Sequence, residues 1–282
     1  MNNDLLKAHA KSFYWASFFL SKKIYIKSSA LYSFCRTLDD IADSSEELEI
    51  KKKKFLKFKN NFINKNFNDY IIKSMWQVIE DVDISKQVVF DLFDGIETDL
   101  DKKVKINSKK DLLIYSYRVA GTVGLMMSKI LNVENKEAFR GAIDLGIAMQ
   151  LTNIARDVTE DKNRNREYID YNFFSIKETI NNAEIFYKKS FIAISSIPLR
   201  SRFSVIVARR VYKKIGYYIL KQKNFEDYKN AGKIYVPLVG KVLETILSIA
   251  DFFKLLFIKD IEYDNDDNHS IFTQEIDLNE RI

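Results

Sequence analysis

An all-α fold is what this chain predicts, and three observations predict it. Apolar residues recur at i, i+3, i+4 and i+7 over long stretches, while strict alternation is scarce. Two prolines, Pro198 and Pro237, and eight glycines are too few for the many turns of a β fold. No Pro/Gly/Ser-rich linker interrupts the 282 residues. One helical domain is therefore expected over 1–260. Residues 261–282 read as a disordered acidic tail, because Asp264, Asp266 and Asp267 crowd together there with little apolar material to fold around.

The elements follow in order. Residues 4–20 read as an aromatic-rich helix. Residues 24–43 form a second helix that ends in Asp39-Asp40-Ile41-Ala42-Asp43. Residues 46–80 read as one or two helices with a polar break near 64–68. Residues 85–101 fit a helix carrying Asp91, Asp94, Glu97 and Asp101. Residues 108–132 hold a glycine-bearing pair of helices. Residues 136–162 form a long helix with Asn153, Asp157 and Asp161 on one side. The polar run 163–167 breaks the pattern, and helices resume at 177–196, 200–221 and 236–258. In the last of these, Lys241, Glu244, Asp251 and Lys254 interrupt an apolar stripe. Two readings stay open for it: a helix packed on the body, or peripheral membrane contact through Phe252, Phe253, Leu256 and Phe257.

Composition closes off several function classes. The only histidines are His9 and His269, so His-based triads and multi-His zinc sites are nearly excluded. A single cysteine, Cys35, cannot form an internal disulfide and fits a reducing cytoplasm. No run of 18 apolar residues is present, and the start lacks a signal-peptide pattern. The protein is expected in the cytoplasm, or peripherally at the inner face of the membrane. The net charge of +6 comes from 45 basic and 39 acidic residues that are interspersed, unlike the one-sided basic face of a nucleic-acid binder. The dense run Lys51–Lys54 reads as a solvated face. No nucleic-acid partner is expected, and the sequence sets no oligomeric state.

The two acidic helices carry the chemistry. With about 3.6 residues per turn, positions i and i+4 share a face. Asp39 and Asp43 therefore line up, as do Asn153, Asp157 and Asp161. Carboxylates at that spacing repel one another. An acidic run on a helix is ordinarily a solvated face. Here Leu31, Phe34, Ile41 and Ala42 flank the first cluster, and Ile147, Leu151, Ile154 and Ala155 the second. Carboxylates in such surroundings need a partner. A few hard oxygen ligands suit Mg²⁺ shared with phosphate oxygens. The pair reads as a magnesium–diphosphate site between facing helices.

At three strings the sequence resembles the squalene/phytoene synthase family of head-to-head prenyl synthases. They are Tyr32-Ser33-Phe34-Cys35-Arg36-Thr37-Leu38-Asp39-Asp40-Ile41-Ala42-Asp43, then Tyr115-Ser116-Tyr117-Arg118-Val119-Ala120-Gly121-Thr122-Val123-Gly124, then Met149-Gln150-Leu151-Thr152-Asn153-Ile154-Ala155-Arg156-Asp157-Val158-Thr159-Glu160-Asp161. His9-Ala10-Lys11-Ser12-Phe13 is similar to the family's opening, and the resemblance covers roughly residues 5–255. It implies a single-domain isoprenoid synthase fold with a central cavity. Two allylic prenyl diphosphates would react there with Mg²⁺, with Mn²⁺ as a substitute, through a cyclopropylcarbinyl diphosphate. The implied metal ligands are Asp39, Asp40, Asp43, Asn153, Asp157 and Asp161. Tyr32 and Tyr115 match positions near the reacting ends, with core packing as the competing role. Arg36 is implied to grip diphosphate or, alternatively, to pair with Asp40. Lys11 is a second diphosphate candidate, Phe13 lies beside it, and Gln150 bonds near the cavity. Ala120, Gly121 and Gly124 either pack helices closely or leave room for a prenyl chain.

Within the family, the strings at 148–157 and 208–216 are similar to its bacterial C20-using members. Ala16, Ser17, Ser28, Ser29 and Ala30 fit a deep tunnel. The implied reaction joins two geranylgeranyl diphosphates to phytoene, and NADPH is not expected. The alternatives are a C15-using squalene or dehydrosqualene synthase, or an inactive relative that binds and assembles. One departure stands out. Where the family reads Gly-Arg-x-Tyr-x-Pro, this chain has Asn165-Arg166-Glu167-Tyr168-Ile169-Asp170. That departure touches the geometry of the flap rather than the metal site.

Overall fold

The computed structural model describes residues 11–258 and 275–282. The expectations for residues 4–10, including His9 and Ala10, and for 261–274 lie outside the described residues. Ten α-helices follow the predicted order: α1 (Lys11–Ser17), α2 (Lys22–Asp43), α3 (Leu48–Ile63), α4 (Tyr70–Val82), α5 (Lys86–Thr98), α6 (Lys109–Ser116), α7 (Thr122–Ile130), α8 (Lys136–Asn163), α9 (Phe173–Ala193) and α10 (Leu199–Leu220). A short α11 (Phe225–Asn230) and a long α12 (Leu238–Leu256) complete the described helices.

Helices begin where the sequence supplies a cap. Asp69 accepts from the N–H groups of Ile71 and Ile72, Ser108 from Asp111, Asn135 from Glu137, and Asn172 from Ser175. Each such cap is worth about 1 kcal/mol. Asp83 ends α4 in the left-handed region at φ 52°, a conformation Asp tolerates better than most residues.

The core has two parts. Phe34 of α2, Phe55, Phe58 and Phe62 of α3, and Phe93 of α5 form an aromatic cluster; the Phe34 and Phe62 rings, for example, lie 5.4 Å apart. This cluster seats the helix that carries the first acids. The second part surrounds α8, which is buried on several sides through Ile143, Ile147, Leu151, Ala155 and Val158. Such a helix belongs at the centre of a bundle, and α8 packs against α7, α9 and α10. The approach to α7 is backbone on backbone. A Cβ on Gly124 would lie 2.2 Å from the Ala142 carbonyl oxygen, and one on Gly146 would lie 2.2 Å from that of Ala120.

Some features depart from the sequence expectation. Residues Tyr117–Gly121, between α6 and α7, form a π-helical turn. Two residues on each side make a parallel pair, β1 (Val104–Lys105) with β2 (Arg166–Glu167). The disordered tail expected over 261–282 is corrected for residues 275–282. Ile276 and Leu278 are buried, and Arg281 grips the buried carboxylate of Asp91 at 2.9 and 3.1 Å. Helix α12 reverses the usual amphipathic arrangement. Its acids Glu244 and Asp251 point inward to Arg210, at 2.9 and 2.7 Å, while most of its large apolar residues face outward. Of the four aromatic and aliphatic residues expected at a membrane, Phe253, Leu256 and Phe257 are exposed; Phe252 packs toward Phe203.

Candidate active site

On α2, Tyr32, Arg36, Asp39 and Asp43 form one half-buried stripe; on α8, Gln150, Asn153, Asp157 and Asp161 form another. The structure brings the two stripes to one place. The link is Arg166, just beyond the end of α8: its Nη1 donates to Asp43 Oδ1 at 2.6 Å, and its Nη2 to the Ala42 carbonyl at 3.1 Å. Arg164 reaches the other oxygen of Asp43 at 3.1 Å.

The turn that aims Arg166 depends on Asn165, which sits at φ 59°. Glycine adopts that region freely, and asparagine is among the few other residues that enter it readily. Asparagine thus keeps the turn at the position where the family pattern has glycine. The β1–β2 pair then pins the segment: Val104 N–H donates to Asn165 O, and Ile106 N–H to Glu167 O.

Between the stripes lies Asp99, which the sequence reading missed. Tyr115 Oη donates to Asp99 Oδ2 at 2.9 Å and Tyr168 Oη to Oδ1 at 2.5 Å. The two rings stack with centroids 4.7 Å apart. Burial raises the carboxyl of Asp99 above its ordinary range, against the pull of Arg166 and the two hydroxyls. Burial beside Asp99 likewise pushes both phenols well above theirs. Asp99 was hidden because its acidic neighbours along the chain, Asp94, Glu97 and Asp101, are largely solvent-facing. Its signal is positional: it is the residue just after α5, opposite Tyr115.

The predicted ligands differ in how they are held. Asp40 is paired with Arg36 at 2.6 Å and is half-exposed. Asp157 takes a two-point contact from Arg156, at 2.8 and 2.6 Å, and has Lys233 at 3.5 Å. Asp39 and Asp161 are not neutralised in this way. Burial, with Asp43 as the next cause, pushes Asp39 up to about 7. Burial, with Asp157 next, does the same to Asp161. Asn153 offers a buried side-chain oxygen with no hydrogen-bond partner, and Arg36 a buried Nε with none. Arg36 thus fits both of its predicted roles: one nitrogen on Asp40, another free for an anion.

Among the described residues, no three carboxylates, thiols or imidazoles converge closely enough to hold a cation alone. That suits Mg²⁺, which is bound through one or two carboxylates plus substrate phosphates rather than by an all-protein cage. An orphaned amide oxygen and two half-buried carboxylates, both raised by burial and a neighbouring acid, fit such an ion.

The remaining predicted residues surround this group. The hydroxyl of Tyr32 is pushed up to about 12, chiefly by burial. Phe13 packs on Tyr212 with centroids 4.8 Å apart. Lys11 lies 5.6 Å from the ring of Tyr235, which Arg156 also approaches at 5.9 Å. Gln150 accepts weakly from Asn153 at 3.5 Å. Gly124 is required by the contact with α8, and Ala120 lies at the same contact, on the π-helical turn. Sequence reasoning also missed Lys233 and Tyr228. Tyr228 of α11 donates to the backbone carbonyls of Ala155 and Arg156 and so fixes the approach of Lys233.

Comparison with known proteins places the chain in a family. The squalene/phytoene synthase family model matches residues 6–170. A 15-cis-phytoene synthase of Pantoea ananas is 28% identical over 257 residues, covering 77% of this chain and 83% of its own. A phytoene synthase of Cereibacter sphaeroides is 27% identical over 246 residues, covering 76% and 69%. The crystal structure of a dehydrosqualene synthase in complex with ligand superposes with a TM-score of 0.74 at 27% identity, covering 89% of this chain and 94% of that one. With its three motifs gathered around one acid-lined site, the chain belongs to the squalene/phytoene synthase family.

Proposed function

We propose that the protein is a phytoene synthase, a prenyltransferase that joins two geranylgeranyl diphosphates head to head and releases diphosphate. The observation that carries this reading is the pairing of the α2 and α8 stripes, with the Asn153 oxygen orphaned and with burial raising Asp39 and Asp161 against the pull of nearby arginines. Asp39, Asp43, Asn153, Asp157 and Asp161 would hold Mg²⁺, with Asp40 released from Arg36. Bound there, the metal supplies Lewis-acid neutralisation of a leaving diphosphate.

The chain's own groups do the rest. Arg36, Lys11, Arg156 and Lys233 supply donors for diphosphate oxygens, Arg36 through its unpartnered Nε. The rings of Tyr32, Tyr115 and Phe13 present π faces to developing positive charge. Asp99 holds Tyr115 in place. The Gly124–Gly146 contact fixes the wall on which Ala120 and Val123 stand half-buried. A cytoplasmic location belongs to the same proposal; no described helix is long and apolar enough to cross a membrane.

A second reading, farnesyl diphosphate as substrate, is favoured by the likeness to the dehydrosqualene synthase structure. The test offers purified protein and Mg²⁺ the C20 and C15 diphosphates separately, with and without NADPH. A C40 hydrocarbon from the C20 substrate without NADPH is the expected product. A C30 hydrocarbon from the C15 substrate alone would replace the proposal with the second reading, and no product from either would remove both.

A further inference from the structure

We propose that the cavity between α9, α10 and α12 binds a small phosphate-bearing molecule with an apolar body. The cavity has a volume of about 460 Å³ and shares no lining residue with the candidate active site. Small-molecule sites are clefts of this size, with apolar walls and a few convergent polar groups. Four cations of α10 reach it: Arg209, Arg210, Lys213 and Lys214. Positions i, i+1, i+4 and i+5 share one side of a helix. Tyr212, which packs on Phe13 at the candidate active site, is not part of its wall.

The cations outnumber the acids that serve them. Glu184 pairs with Lys213 at 2.5 Å, Asp251 with Arg210 at 2.7 Å, and Glu244 with Arg210 and Lys214 at 2.9 and 3.1 Å. Arg209 is left over. It is 7% exposed, and its Nε and Nη2 both donate to the carbonyl oxygen of Tyr187, at 3.1 and 2.7 Å. Those two bonds use the lateral edge of the guanidinium. The terminal edge, with one N–H from each Nη, meets no acceptor among the described residues. A buried charge held by one carbonyl is costly, and burial pushes the Arg209 guanidinium below its ordinary pKa. Two parallel N–H groups on one edge are the fork that grips a phosphate at two points. Lys213 stands one turn further along α10 as a point charge for another oxygen.

The rest of the wall is apolar. The ring of Phe191 lies 4.8 Å from the Arg209 guanidinium, and that of Tyr217 lies 4.3 Å from the Lys214 ammonium. Leu220 adds an aliphatic surface. An apolar body laid against these groups removes area from water while its phosphate meets Arg209. None of these residues serves the proposed function.

The experiment is calorimetric titration of the full chain in EDTA, which keeps the magnesium site empty. Phenyl phosphate is the probe; inorganic phosphate and phenol are the comparisons. The expected result is binding of phenyl phosphate, reduced by added salt, with inorganic phosphate weaker and phenol not bound. Arg209→Gln should weaken phenyl phosphate about tenfold, with circular dichroism as a control because Arg209 also fastens Tyr187. Glu184→Gln frees Lys213 and should tighten binding severalfold, a gain that a loss of packing does not produce. Arg36→Gln, at the candidate active site, should leave binding unchanged. No binding by the wild type, phenol or inorganic phosphate binding as tightly as phenyl phosphate, unaltered binding by folded Arg209→Gln, weaker binding by Glu184→Gln, or an equal loss in Arg36→Gln would each overturn the proposal.

Discussion

Arg166 and Asp43, 123 residues apart in the chain, meet at 2.6 Å and lock the end of the second acidic helix to the end of the first. The guanidinium is 7% exposed and also serves the carbonyls of Ala42 and Asp99. Lysine cannot reproduce that fork. Arg166→Lys should therefore lower stability by about 2 kcal/mol, since it leaves partly buried acceptors without donors. Urea unfolding measures this, and an unchanged midpoint would show that the lock carries no weight. Turnover should drop more steeply than stability, because the spacing of the two stripes depends on this contact.

The uncompensated acids give a dependence on pH. Asp39 and Asp161 each sit at about 7 in the folded protein, against 3.8 ordinarily. The folded state thus holds these protons more tightly than the unfolded chain does. Between about pH 4 and pH 7 their contribution to stability is lost as pH rises, and above that window the loss is complete. In EDTA, Asp39→Asn should melt higher than the wild type at pH 8 and match it near pH 4. Mg²⁺ should raise the wild-type melting temperature at pH 8, raise it less at pH 6, and leave the variant nearly unmoved. The variant should make no hydrocarbon. A variant that melts lower than the wild type at pH 8 would refute the charge argument.

Asp99 accepts from Tyr115 and Tyr168 at once, one hydroxyl on each carboxylate oxygen. Asp99→Asn presents one oxygen and one amide, so one hydroxyl loses its acceptor. We expect kcat to fall on the order of tenfold, equivalent to about 1.4 kcal/mol, with KM little changed, because Asp99 positions a ring rather than binding diphosphate. Tyr115→Phe should reproduce the loss and Tyr168→Phe part of it. A rise in KM with kcat intact would instead assign Asp99 to ground-state binding.

The helices were legible because their signals are local. Apolar residues recur at helical spacing along them, and the two acid ladders show in the spacing alone. What was not legible depends on the third dimension. Asp99 looks like one acid among five in 85–101 until Tyr115 and Tyr168 fold over it. The β1–β2 pair is two residues long on each side, too short for a period to appear. Helix α11 is six residues with four of them polar or charged, and only the burial of Tyr228 reveals its purpose. In α12 the apolar stripe was visible, but its direction was not. That direction depends on Arg210 and Lys214 of α10, which draw the acids inward.

The C-terminal segment is fastened by a buried pair. Arg281 contacts Asp91 at 2.9 and 3.1 Å, and Tyr117 donates to the same carboxylate at 2.9 Å. Asp91 is 5% exposed. Arg281→Ala should destabilise by about 3 kcal/mol, since an unpaired charge is left in the core. Asp91→Asn together with Arg281→Ala should recover part of that loss, and a double variant no better than Arg281→Ala would indicate that the cost lies elsewhere. Tyr117 begins the π-helical turn, so the kcat of Arg281→Ala should also be measured for an effect on the cavity wall.

Gly124 and Gly146 give the sharpest packing test. Each added Cβ would meet a backbone carbonyl oxygen at 2.2 Å, where no side-chain rotation can relieve it. Helices α7 and α8 would have to separate, and overpacking of that kind costs about 1–3 kcal/mol or more. The same movement would shift Asn153 and Asp157, which lie seven and eleven residues beyond Gly146 on α8, relative to α2. Gly124→Ala should thus lower both the melting temperature and turnover. Gly232→Ala gives the contrast: it stands at φ 61° with nothing near it, so its cost is backbone strain alone, and turnover measured on the folded fraction should be retained. Equal losses of activity in the two variants would mean that the α7–α8 contact does not set the spacing of the active site.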